Sequence, residues 1–225
     1  MQTFPGPFSR AYWRAAAREL KDTRKLVFAA LIMAICVATR PLSLFIGKDL
    51  KIMLIFLPYA LGSLVYGPVV ALLVGAGYDL LGVMLFPQGS FFPPFTLLEM
   101  LKSFLFAIFL YRAPFRFWRV AVSKLLYTIV CNILLTPLML AWMMGGAATL
   151  ASLPRVIKNA ALYPLETLLL ALLLGAMYPV LVRTRFAPGG QTAFRLTARH
   201  YAMLGALTLL SAASVLLYIR FFAAA

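Results

Sequence analysis

The chain has 225 residues, 64% hydrophobic and only 12% charged, with 21 Lys and Arg against 6 Asp and Glu for a net charge of +15. A soluble domain is about half apolar and a quarter charged, so this composition excludes an ordinary globular fold and points to lipid. The positive residues flank apolar runs, as orientation signals and headgroup contacts do, which argues for the lipid bilayer as partner and against nucleic acid. Residues 1–25 come first, with Tyr12, Ala16, Glu19 and Leu20 at helical spacing among Arg14, Arg18, Lys21 and Arg24. They read as a basic amphipathic helix at the cytoplasmic interface or as a solvated charged leader. No small-residue cleavage site accompanies the first apolar run, so no signal peptide is read and that run stays in the membrane.

Span one is expected over 26–46, close to the ~20 residues that cross ~30 Å of hydrocarbon. A polar link, 47–51, returns the chain. Span two, 52–65, ends at the breaker Tyr66-Gly67-Pro68, and span three follows over 69–86. The segment 86–95 is a loop by its Pro and Gly content. It is also rich in Phe, so it should dock on something apolar. Spans four, five and six are expected over 96–111, 120–143 and 156–182, with a seventh apolar stretch over 201–222 after a basic linker, 183–199.

Most remaining Lys and Arg fall in three stretches, 10–25, 112–124 and 183–199, on one side of this topology. Short cytoplasmic loops carry the positive excess, so those stretches and the N-terminus are read as cytoplasmic. Arg155 and Lys158 open span six from the opposite side. Basic residues left outside need another reason, and capture of an anionic solute supplies one; interfacial snorkelling is the alternative.

Ionisable residues within hydrocarbon usually face a protein interior or a wet cavity. Here they are Arg40, Asp79, Glu99, Lys102 and Glu166. Glu99 and Lys102 share a helical face and can pair locally or serve a ligand. Gly67, Ala71, Gly75 and Asp79 recur every fourth residue, a spacing that lets helices approach closely. Asp79 is therefore expected to face the bundle, against Arg40 or a backbone group. Ala30, Ala34 and Ala38 form a second small-residue row in span one. Pro137 and Pro164 would free carbonyls in spans five and six.

Enzyme chemistry finds no footing. There is no phosphate-binding G-x-x-x-x-G-K-[ST] loop, no second intramembrane aspartate for Asp79 to share a proton with, and no partner for the single His200. Cys36 and Cys131 lie in apolar stretches and suggest neither disulfide nor metal knuckle. No cofactor is expected.

The ordered motifs then carry a resemblance over 19–182. They are Glu19-Leu20-Lys21 with Arg24-Lys25-Leu26, Arg40, Tyr66-Gly67-Pro68-Val69-Val70 and Asp79-Leu80-Leu81-Gly82. Leu85-Phe86-Pro87-Gln88-Gly89, Phe91-Phe92-Pro93-Pro94-Phe95-Thr96-Leu97 and Leu110-Tyr111-Arg112 follow. Pro154-Arg155-Val156-Ile157-Lys158-Asn159 and Leu162-Tyr163-Pro164-Leu165-Glu166 complete the set. The chain resembles the folate-family substrate-binding (S) component of energy-coupling-factor vitamin transporters. It departs at Pro94, at Thr136-Pro137, at Glu99 and Lys102, where small residues are frequent although Glu is familiar, and in the seventh span with its basic linker.

The resemblance implies an all-α integral membrane protein: a six-helix transmembrane S-component bundle, 26–182, behind the leader 1–25, with the linker 183–199 and an additional C-terminal transmembrane helix, 200–225. It implies a multi-pass protein of a prokaryotic plasma membrane with its vitamin site near the outer surface. The implied partners are a transmembrane coupling subunit and two ATPase subunits, with Ala30, Ala34 and Ala38 as the docking row. The implied mechanism is that the loaded subunit docks on that module and topples in the membrane to release vitamin inside.

Folate joins a flat pterin to an aromatic linker and a tail with two carboxylates. Glu99 or Glu166 can accept the pterin's adjacent donors, with Asn159 as a polar neighbour. Phe91, Phe92 or Phe95 can stack on its rings. Arg155 suits the tail bidentately and Lys158 as a point charge, with Arg40 and Lys51 helping from the opposite wall. Two other readings stay open: an S component for riboflavin or thiamine, and a membrane scaffold or lipid-handling protein whose charges only snorkel.

Overall fold

In the computed structural model, which describes residues 7–41, 43–46, 50–87, 91–113, 116–143, 153–186, 198–218 and 220, the chain is helical apart from one short hairpin. Helix α1 (Arg10–Arg18) starts where the Ser9 hydroxyl accepts the Tyr12 N–H at 3.2 Å. Tyr12 and Ala16 are buried against Tyr111 and Val69, while Arg10, Arg14 and Arg18 stay exposed. The leader is thus an amphipathic helix docked on the bundle. One tight turn (Glu19–Lys21) joins it to α2 (Thr23–Thr39). Glu19 is the buried knot of this end: it accepts the Tyr111 hydroxyl at 2.5 Å and Arg112 at 3.3 Å, and it pairs with Lys25.

Helix α2 is shorter than the expected span 26–46. Pro41 has no N–H to continue the ladder, and the chain turns instead into two antiparallel strands. These are β1 (Ser43–Ile46) and β2 (Leu50–Met53), with Ser43 opposite Met53 and Ile46 opposite Leu50. The hairpin takes residues from the ends of spans one and two as read from hydropathy. Hydrophobicity alone does not separate a short buried strand from a helix end.

Helix α3 (Phe56–Leu85) is interrupted at Gly67, where φ is 75° and ψ is −177°. The Tyr59 and Tyr78 rings lie 5.7 Å apart, yet one straight helix would hold them ~28 Å apart. The chain therefore reverses at Gly67-Pro68, and α3 is two antiparallel arms, residues 56–66 and 68–85. These take the places expected of the second and third spans. Glycine supplies the positive φ, and Pro68 begins the second arm where its missing N–H is not needed.

Helix α4 (Pro93–Leu110) packs on both arms. A Cβ on Gly75 would stand 2.6 Å from the Glu99 carbonyl oxygen and from Met100 Cα, so the small-residue row does bring two backbones together. Asp79 ends that row buried, accepting the Thr96 hydroxyl at 2.7 Å rather than meeting Arg40.

Span five is α5 (Phe117–Leu126), a π-helical segment (Tyr127–Leu135) and α6 (Thr136–Met143); span six is α7 (Leu153–Arg183). Among the described residues, the helical stretches 56–85, 93–110, 117–143 and 155–183 are long and apolar enough to cross a membrane, although the reversal at Gly67 divides the first between two arms. Helix α8 (Ala198–Tyr218) packs along α7, beside the six-span core. That core closes around Ile32, Tyr59, Tyr66, Phe106 and Leu170. The fold is an all-α integral membrane bundle with a small strand hairpin at one end.

Candidate functional site

The first arm of α3 is only ~16 Å long, about half of a ~30 Å hydrocarbon layer. Beyond its start at Phe56 lies a cavity of about 360 Å³, bounded by Met53, Ile55 and Phe56 and by α4, α5–α6 and α7. Small-molecule sites occupy roughly 300–1,000 Å³. The cavity lies toward the beginnings of α4 and α7, away from the end of α4 where α1 docks through Glu19 and Tyr111.

Helix α7 gives the cavity its depth. Arg155, Lys158 and Asn159 stand near the start of the helix, and Glu166 stands ~16 Å further along it. At the deep end the Glu166 carboxylate meets the Lys124 ammonium at 2.8 Å, with side chains 10% and 1% exposed. The same ammonium lies 3.9 Å from the ring centre of Phe56 and 4.4 Å from that of Tyr127, so two aromatic faces help hold its charge. On α4, Lys102 pairs with Glu99 at 2.6 Å, and Tyr59 donates to the other Glu99 oxygen at 3.2 Å. Both carboxylates are therefore matched by a lysine. Arg155 is not: its Nη1 is buried and, among the described residues, has no hydrogen-bond acceptor. Among the described residues the lining carries four cations and two carboxylates, a net charge of +2.

The π-helical turn explains how span five contributes a wall. Thr136 sends both its N–H and its hydroxyl, the latter at 2.7 Å, to the Cys131 carbonyl five residues back. Pro137 has no N–H to restore the tighter pattern. Widened turns bring Tyr127, Asn132 and Thr136, five and four residues apart, onto the cavity together. Asn132 then donates to Asn159 at 3.3 Å, and Asn159 donates to the Arg155 carbonyl at 2.9 Å, linking this wall to the rim.

Of the residues singled out in the sequence, Glu99, Arg155, Lys158, Asn159 and Glu166 come together on the cavity. Others do not. Arg40 stands behind the wall, its guanidinium 5.5 Å from the ring centre of Tyr78 and against Gly82, with Nη1 buried. Phe91 is exposed, and Phe92 packs edge-on against Phe95 at 5.7 Å and Trp142 at 5.5 Å. Phe92 thus packs on the protein through Phe95 and Trp142, and none of the three is among the described residues that line the cavity. Among the described residues the aromatic lining is Phe56, Tyr78 and Tyr127, supplied by helices whose apolar faces make them look like ordinary core. The side chain of Lys51 lies outside the described residues.

Lys124 corrects the charge reading. Counted with the cytoplasmic stretch 112–124, it is instead fully buried at the deep end of the cavity. Its position four residues inside the span expected from Val120 was the available sign. Ala30, Ala34 and Ala38 are all exposed on one side of α2, an uncovered row.

No protein-family model matches the chain. It is 30% identical over 115 residues to the folate transporter FolT of Clostridium novyi (strain NT), covering 51% of this chain and 67% of that one. It is 29% identical over 152 residues to the folate transporter FolT of Leuconostoc mesenteroides, covering 64% of this chain and 81% of the relative. A crystal structure of FolT bound with folic acid superposes with a TM-score of 0.58 at 32% identity, over 65% of this chain and 89% of that one. With this bundle, this cavity and these relatives, the chain belongs to the folate family of substrate-binding (S) components of energy-coupling-factor vitamin transporters.

Proposed function

We propose that the chain captures folate at the outer face of the membrane and delivers it to an ATP-driven uptake complex whose coupling subunit and two ATPases are separate chains. The observation that carries this reading is the charge of the cavity, +2 among the described lining residues of a ring-lined space, against the two tail carboxylates of folate. Arg155, with a buried nitrogen that lacks an acceptor, offers a fork for one carboxylate, and Lys158 offers a point charge at the same mouth.

The deep end suits the pterin. Glu166 accepts its ring N–H and amino group, while Lys124 donates to the adjacent ring carbonyl. Such a carboxylate–ammonium pair reads both halves of one hydrogen-bonding edge. Phe56 and Tyr127, already stacked on the ammonium, flank the flat ring. Tyr78 and Glu99 line the middle, where the aminobenzoyl linker lies.

Orientation follows from charge. Arg14, Arg18 and Arg112 gather at the α1 end, so that end faces the cytoplasm and the cavity faces out. The exposed Ala30-Ala34-Ala38 row is the surface that meets the coupling subunit, since small residues permit close helix contact. Titration of the purified protein with folate, riboflavin and thiamine tests the reading. Tight one-to-one binding of folate alone is expected. Binding of riboflavin or thiamine without folate would reassign the substrate, and a folded protein that binds none would reduce it to a membrane scaffold.

A further inference from the structure

A second cavity, of about 310 Å³, lies at the other end of the molecule, between α1 and Arg112 just past the end of α4. Its lining is Ala11, Arg14, Ala15, Arg18, Glu19 and Arg112. Arg14 and Arg18 are one helical turn apart and share a face of α1. Ala11 and Ala15, spaced the same way, keep the floor low between the guanidinium groups. Among the described residues the only carboxylate in the lining, Glu19, is saturated by the Tyr111 hydroxyl, Arg112 and Lys25. Among the described residues neither Arg14 nor Arg18 has an ion-pair partner. Three arginines therefore face one small space with no counter-charge left for two of them.

Arg112 is held there by an unusual backbone. Its φ is 49°, a left-handed conformation that a non-glycine residue adopts at a cost. The return is that its guanidinium lies 5.4 Å from the ring centre of Tyr111 and reaches Glu19 at 3.3 Å, at the edge of the cavity. On the same helix as Arg14 and Arg18, Trp13 stacks on Phe104 at 6.1 Å and stays partly exposed. Tryptophan in that setting sits at headgroup level, with hydrocarbon on one side and water on the other.

We propose that Arg14, Arg18 and Arg112 form a binding site for a phosphate group, filled by the headgroup of an anionic phospholipid whose acyl chains run past Trp13 and Phe104. Planar guanidinium forks match phosphate oxygens two at a time, which a generic positive surface does not. The occupied site pins α1 to α4 through a lipid, and it lies apart from the vitamin cavity.

Native mass spectrometry of the full chain in detergent tests this, with monodisperse elution and circular dichroism confirming the fold of each variant. One phosphatidylglycerol should remain bound at least tenfold more tightly than phosphatidylcholine. Arg14→Ala/Arg18→Ala should remove that preference, and Arg14→Lys/Arg18→Lys should weaken it several-fold although charge is kept. Removing two charges outside the cavity, Lys21→Ala/Arg183→Ala, should leave it unchanged. Equal loss in both alanine pairs would reveal only diffuse surface charge and overturn the site. Millimolar inorganic phosphate should displace the lipid; phosphate bound in its place by a protein that retains no phosphatidylglycerol would overturn the lipid as occupant.

Discussion

Lys124 and Glu166 hold their charged atoms 2.8 Å apart at the deep end of the cavity, both buried and both inside membrane spans. Removing one member of such a pair strands a buried charge, which costs about 3–5 kcal/mol, whereas replacing both restores much of the stability. Lys124→Met and Glu166→Gln should each lower the unfolding temperature in detergent, and Lys124→Met/Glu166→Gln should recover most of that loss. None of the three should bind folate within tenfold of the native protein. A double variant no more stable than the singles would show that the two charges are not coupled.

Arg155 should act on the tail of the ligand and not on its ring. Arg155→Ala is expected to weaken folate binding by at least tenfold, ~1.4 kcal/mol or more. Pteroate, which lacks the glutamate tail, should lose much less. Calorimetric titration of both ligands against both proteins gives the comparison. Equal losses would place Arg155 in a structural role.

Gly75 is a contact point between the second arm of α3 and α4. An added methyl would meet the Glu99 carbonyl oxygen and Met100 Cα at 2.6 Å, which are backbone atoms that cannot rotate away. Gly75→Ala should therefore destabilise the bundle by about 1–3 kcal/mol. Because Glu99 moves with that backbone, ligand affinity should fall as well. Thermal unfolding with and without folate separates the two effects.

The exposed alanine row on α2 should matter for transport and not for binding. Ala34→Leu puts bulk on a face that no part of this chain covers among the described residues. Folate affinity of the isolated protein should stay within twofold, while uptake in vesicles containing the coupling subunit and ATPases should drop by at least tenfold. A transport-competent Ala34→Leu would move the docking surface elsewhere.

Docking of α1 should weaken in alkali. Burial pushes the Tyr12 phenol up to about 12, while a free tyrosine ionises near 10. The undocked leader therefore loses its proton first. Its docking is unaffected below pH ~10 and is lost as pH rises from ~10 toward ~12. Trp13, stacked on Phe104, reports this by fluorescence. Tyr12→Phe should flatten the dependence; an unchanged profile would assign it to another group.

Much of the architecture was legible because hydrocarbon imposes a length on each apolar run and punishes stray charge. The breaker at Tyr66-Gly67-Pro68 marked the reversal that makes two arms of α3, and the basic rim of Arg155 and Lys158 marked the cavity mouth. Less legible were the strands 43–46 and 50–53, which carry the same hydrophobicity as the helices around them. Lys124 was miscounted for a related reason: a lysine near a span end looks like an orientation signal until its partner on another helix is known.

By itself, the order of apolar runs, breakers and charges determined that this chain lies in a membrane, and its ordered motifs carried the family resemblance that the relatives bear out. These properties depend on short stretches of sequence, each read against the same slab of lipid. Only the tertiary structure decided which side chains share the cavity. That choice depends on the Gly67 reversal and the π-helical turn in span five, which rotate Tyr78, Tyr127 and Asn132 toward α7. Rotation about a helix axis leaves hydropathy unchanged, so residues far apart in the chain become one site only when the helices pack.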